Sequence, residues 1–210
     1  MKKIIMSLDL AEGIIGNGVK IAKSDSVIVD NEIMNDISDD WDYYKGKICL
    51  TGMLYEDVIE IYIAESENDA DFKIEVSSRL EELHETGMRI YALNNKFELG
   101  TFAGNLGCSC VIEEIRTFKG KGSSKDNMFS VLNKHGIINA EVRDVLNGDS
   151  AKCVDLWKDY KKTGNFLSLL TIAVHNINCL VKESIILKNK QWFIDNVKTD
   201  MNGFAIGEVK

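Results

Sequence analysis

The chain has 210 residues, 45% of them hydrophobic and 28% charged, which gives enough apolar material for one α/β domain with a sizeable core and excludes a disordered or fibrous class. Its 25 basic and 33 acidic residues leave a net charge of -8, excluding a broad basic footprint, so that any contact with a phosphate backbone must be local. There is no proline, so loops turn on Gly, Asn and Asp.

Five cysteines, at 49, 108, 110, 153 and 179, lack the paired spacing of a zinc finger and are an odd number for a disulfide framework, so cytosolic thiols are expected. The first ten residues are not expected to act as a signal peptide, because Asp9 interrupts the short apolar run. No stretch approaches the roughly 18 apolar residues of a membrane span. A cytoplasmic protein with no membrane partner is the expectation.

In chain order, residues 3–10 read as a buried strand, with Ile4, Ile5, Met6 and Leu8 leading to a carboxylate, Asp9, at its exit. Residues 19–30 alternate weakly, as an extra hairpin would. Residues 31–46 are acidic and irregular, with Trp41, Tyr43 and Tyr44 standing out, and the whole stretch of about 12–47 reads as an insertion. Residues 48–54 and 58–64 are β-rich segments joined by Tyr55-Glu56-Asp57, a predicted antiparallel hairpin.

From Asp71 the period changes to helical, with Phe72, Val76, Leu80 and Leu83 recurring up to a stop at Gly87. Residues 88–93 form the next predicted strand. Asn94-Asn95 turns into a helix over about 97–106, and 109–115 is a further strand. After the basic loop 119–125 (KGKGSSK) the pattern is helical to about Lys190, with breaks near Gly136, Asn147-Gly148 and Gly164. This order predicts a single domain built on a mixed α/β sheet with a helical C-terminal part.

The glycine cluster at 13–18 (GIIGNG) lacks the lysine of a phosphate loop and reads as a turn. Cys108-Ser109-Cys110 has no partnering cluster and reads as core. The 119–125 loop can grip phosphate or form a solvated tip, with the tip favoured. Trp41, Tyr43 and Tyr44 can stack on unpaired bases or cover the insertion's own core.

The stretch 148–180 is the most informative. A short helix bearing Trp157 and Tyr160, a Thr163-Gly164-Asn165 break, and a long apolar helix carrying His175-Asn176 together resemble the end of an RNase H-like exonuclease domain of the DEDD families. The resemblance extends from Lys3 to about Lys188, apart from the stretch 12–47. It implies a mixed five-stranded sheet flanked by helices, and hydrolysis of nucleic-acid phosphodiesters, DNA or RNA, from a 3′ end. The cofactor it implies is Mg²⁺ or Mn²⁺ held by carboxylates.

Carried over by position, Asp9 matches the first acid of the family's Asp-x-Glu strand end, and Ala11 stands where the second should be. Glu12 replaces it only if a bulge re-aims the side chain. Glu98 stands where the family has aspartate at a helix start. His175 and Asn176 match the family's His-Asn-x-x-Asp string, but Cys179 occupies the final acid's place. The expected site is therefore Asp9 and Glu98 as metal ligands, with His175 orienting the water. A thiol is a poor Mg²⁺ ligand, so this site implies weak or lost activity. The alternative is a non-catalytic module that binds nucleic acid or a protein partner. A flavodoxin-like nucleotide-binding protein would require a wholly parallel sheet.

Overall fold

The apolar triplet Val27-Ile28-Val29 lies at the centre of the molecule. In a computed structural model, which describes residues 1–16, 18–19, 21–22, 25–35, 37, 43–107, 110–120 and 122–206, it belongs to strand β2 (Ser26–Ile33), buried along almost its whole length. Trp41, Cys108, Ser109, Asn17 and Lys121 lie outside the described residues.

β2 pairs antiparallel with β3 (Ile48–Tyr55) on one side and parallel with β5 (Arg89–Ala92) on the other. Beyond β3 follow β4 (Val58–Ile63) and the edge strand β1 (Lys2–Ser7), each antiparallel to its neighbour. Beyond β5 lies β6 (Ile112–Glu114), parallel to it. The described residues thus form a six-stranded mixed open sheet of order β1-β4-β3-β2-β5-β6, one strand more than expected. Its antiparallel pairs exclude the wholly parallel, flavodoxin-like alternative.

Two differences from the sequence reading matter for function. The stretch expected as an insertion contains β2, the strand on which the sheet is centred. The strand expected over 3–10 stops at Ser7, whose hydroxyl accepts from the Leu10 amide and caps helix α1 (Leu8–Ile15). Asp9 therefore sits in a first helical turn and not at the exit of a strand. The predicted hairpin of β3 and β4 and the helix α2 (Ala70–Glu85), which buries Phe72, Val76, Leu80 and Leu83, are as read from the pattern.

Register assigns the helices to faces, because side chains alternate along a strand. Asp30 is opposite Gly52 and Asn31 opposite Thr51 across β2 and β3. Asn31 bonds Thr101 of helix α3 (Asn95–Asn105), and Glu60 of β4, opposite Met53, bonds Arg79, placing α2 and α3 on one face. Asp30 and Gly52 face the other way, toward Asn176 of helix α6 (Phe166–Lys188).

The tail beyond residue 125 is less helical than expected. An irregular segment over 136–150 separates helix α4 (Lys125–Lys134) from α5 (Lys152–Thr163), which α6 and α7 (Lys190–Asn196) follow closely. The Thr163-Gly164-Asn165 break is a left-handed C-cap at Gly164 (φ 72°) followed by Asn165, whose side chain accepts from Leu167 and starts α6. Helix α6 is long and apolar enough to cross a membrane, but it is largely buried within the fold as the core helix. It carries seven buried polar residues, among them His175, Asn176, Lys182 and Glu183.

Candidate active site

Side chains two apart on a strand share a face, so Asp30 and Glu32 point together out of β2 toward α6 while Asn31 points the opposite way. Asn31 is locked there, accepting from Thr51 at 2.6 Å and donating to Thr101 at 3.2 Å. On the other face, the Asn176 amide donates to the backbone oxygen and to Oδ2 of Asp30, at 3.1 and 2.9 Å. The first acid of the pair is thus held from α6 and by its own strand.

Three further groups reach the same place from separate helices. Glu98 comes from the first turn of α3, where a carboxylate suits the helix dipole. Glu183 comes from α6 and accepts from the Leu93 amide at 3.2 Å, tying it to the exit of β5. Lys125 opens α4, and its Nζ stands 2.8 Å from Glu183 Oε1 and 3.3 Å from Asp30 Oδ1. These residues, with Glu32 and Cys179, line a cavity of about 510 Å³. It lies beyond the carboxyl ends of β2 and β5, where open α/β sheets place their ligands.

The carboxyl groups do not sit at ease together. Burial, then the charge of Asp30, pushes Glu32 up to about 7 against the pull of His175 and Lys125. Burial also pushes Glu183 up to about 8, although Lys125 draws it down. Glu98 is raised well above the glutamate range by burial and by Asp30 and Glu183. It is 3% exposed, and its Oε2 has no hydrogen-bond partner. Lys125, by contrast, is held charged: burial opposes the ammonium, but Asp30 and Glu183 outweigh it. The cleft has more acid than its one lysine neutralises.

A second cavity, of about 540 Å³, shares Leu93, Asn94, Lys125, Ser150 and Cys179 with the first and continues to His175. His175 is buried, with Nδ1 2.8 Å from Asp144 Oδ1 and Nε2 3.7 Å from Glu32 Oε1. Burial lowers the imidazole pKa, but the Asp144 hydrogen bond and the nearby carboxylates leave it raised overall. Asp144 also faces Lys182 at 3.5 Å, and Lys182 in turn pairs with Asp126. Cys179 Sγ is 3.6 Å from His175 Nε2, and burial raises its thiol well above the ordinary value, so it stays protonated.

The three residues expected to form the site fall in three different places. Glu98 lines the first cavity and His175 the second. Asp9 is exposed on α1, which follows the far edge strand β1, with β4 and β3 between that strand and β2, and it lines neither cavity. Ala11 is fully buried, and Glu12 does not reach the cleft. Glu113 and Asp149 are engaged elsewhere, with Arg89 and Lys152.

Sequence reasoning missed Asp30, Glu32, Lys125, Asp144 and Glu183. A signal for the first two was present: an apolar triplet followed by Asp-x-Glu, the string sought at Asp9, lay inside the segment set aside as an insertion. Tyr43 lines the first cavity and meets Phe97 edge-on at 5.4 Å, so that part of the segment also belongs to the cleft. The chain matches no family model, no curated protein and no solved structure.

Proposed function

We propose that this chain is a metal-dependent phosphodiesterase of the RNase H-like kind, acting on DNA or RNA from a 3′ end, with its centre at Asp30 and not at Asp9. The observation that carries the reading is the convergence of four carboxyl groups, Asp30, Glu32, Glu98 and Glu183, from β2, α3 and α6 on one cavity. Asp30-Asn31-Glu32 supplies the Asp-x-Glu string that the resemblance asks for, on a central strand and with both acids on one face. Without the edge strand β1, five strands remain as a mixed sheet with helices on both faces, the architecture that the resemblance implies.

The donor set fits a hard divalent cation. Its atoms are carboxylate oxygens, as Mg²⁺ and Mn²⁺ require, and one of them, Glu98 Oε2, is buried without a partner. Asp30, Glu32 and Glu98 would hold the ion. A bound cation of this kind lowers the pKa of the attacking water and stabilises charge on the leaving oxygen. His175, oriented through Nδ1 by Asp144, turns Nε2 toward the acid pair, where it can order or deprotonate a water. The acidic surface leaves the cleft itself to select the substrate, with the sugar and base facing Tyr43 and Phe97.

The test is cleavage of 5′-labelled single-stranded DNA and RNA by the purified protein with Mg²⁺ or Mn²⁺. Loss of cleavage in Asp30→Asn, with Asp9→Asn unaffected, is expected. Cleavage that survives Asp30→Asn would reject this centre. No cleavage with any divalent cation would favour the alternative of a recognition module for nucleic acid or a protein partner.

A further inference from the structure

We infer that the Lys125 ammonium is a resident cation of the acidic cleft, standing where one of two divalent ions would stand, so that the chain takes a single Mg²⁺ or Mn²⁺ there. This inference rests on the metal-binding reading above. Lys125 Nζ bridges Asp30 Oδ1 and Glu183 Oε1, carboxylates brought from a strand and from a helix, as a bridging metal ion does. Its side chain is only 18% exposed and lines both cavities, so the charge lies inside the cleft and not at its rim.

The acids divide into two groups on this basis. Asp30 and Glu183 are already paired with the ammonium. Glu98 has a buried oxygen without a partner, and Glu32 is paired with no lysine or arginine among the described residues; it hydrogen-bonds the Cys153 thiol, and His175 Nε2 stands 3.7 Å away. One divalent ion among Glu98, Glu32 and Asp30 Oδ2, which also accepts from Asn176, together with the ammonium approaches neutrality for the four carboxyl groups. A second divalent ion at Asp30 and Glu183 would have to sit against the ammonium within direct contact range, where like charges repel strongly in a cavity of low polarity. Two-metal sites hold their ions about 3.5–4 Å apart. A lysine that reaches two of the shared carboxylates fills that separation.

The experiment is calorimetric titration of the full chain with Mn²⁺, alongside electron paramagnetic resonance of the loaded protein. Wild type is expected to bind one Mn²⁺ with the signal of an isolated ion. Lys125→Met is expected to bind two, with the spin coupling of a close pair, and Lys125→Arg to bind one. Two coupled ions in wild type, or one ion of unchanged affinity in Lys125→Met, would overturn the inference while leaving the metal-binding reading standing. No ion in wild type would overturn both. Should Lys125→Met not fold, Glu98→Gln decides: it leaves the lysine contacts in place and is expected to weaken Mn²⁺ binding at least tenfold, and unchanged binding would overturn the assignment.

Discussion

Asn176 can grip Asp30 because residue 52 has no side chain. The Asn176 amide donates to the backbone oxygen and to Oδ2 of Asp30, and a Cβ built at Gly52 would lie 1.9 Å from Asn176 Oδ1. The close approach of α6 to the sheet, and with it the aim of the first acid, therefore depends on a glycine next to Thr51, whose hydroxyl bonds Asn31 on the opposite face of the sheet. Gly52→Ala is expected to cost about 1–3 kcal/mol by overpacking, measured by urea denaturation. Asn176→Ala alone is expected to cost a similar amount, about 1–3 kcal/mol, by stranding buried acceptors. The double variant should lose less than the sum, since the truncated residue 176 no longer meets the added methyl. Strict additivity would show that the two do not touch.

Metal linkage separates the two candidate aspartates without any substrate. An ion that binds only the folded protein stabilises it by about 2.7 kcal/mol at a hundredfold excess over Kd. Thermal melting with Mn²⁺ is expected to show an upward shift in wild type and in Asp9→Asn, and none in Asp30→Asn. A shift that vanishes in Asp9→Asn but persists in Asp30→Asn would return the centre to α1.

The sequence made the outer parts of this fold legible and hid its middle. The helix with Phe72, Val76, Leu80 and Leu83 and the hairpin of β3 and β4 have clean periods, and their patterns state their faces. β2 does not, because it is buried on both faces and so lacks alternation; a strand reading SVIVDNEI between acidic, irregular flanks looks like the margin of a loop. Asp9 was convincing for the opposite reason. It follows an apolar run, but that run is an edge strand, and Ser7 caps a helix before the acid is reached. Glu98 and His175 stand out in the sequence through their neighbours. Lys125 and Glu183 belong to the cleft only through tertiary contact, which no local pattern encodes.

The acid side of the stability profile should be set in part by Glu60, far from the cleft. Burial alone would raise its pKa, but hydrogen bonds from Tyr62 and Tyr55, at 2.7 and 2.9 Å, and the charges of Arg79 and Lys3 outweigh it and hold the carboxyl below the usual range. A group depressed on folding contributes stability above its unfolded value, near 4.3, and loses it as pH falls through the lower folded value. Glu60→Gln is therefore expected to lower stability at pH 7 by about 1–3 kcal/mol and to flatten the decline below about pH 4. Parallel wild-type and variant profiles across pH 2–7 would exclude the role.

Asp144 holds together the basic groups on the far side of the cleft. One oxygen faces His175 Nδ1 at 2.8 Å and the other faces Lys182 Nζ at 3.5 Å, while the Leu146 and Gly148 amides donate to the same carboxylate. Truncation by Asp144→Ala strands a buried histidine and removes one of the two acids beside Lys182, and breaking such a buried pair costs about 3–5 kcal/mol. Asp144→Asn keeps the shape and part of the hydrogen bonding, so its cost should be smaller, about 1–3 kcal/mol. If His175 acts only when its ring is held in place, Asp144→Asn should also reduce kcat more than it raises KM, because the carboxamide still fills the site but no longer fixes the tautomer. Denaturation midpoints rank the two variants, and equal losses in both would mean that the Asp144 contribution is charge and not packing.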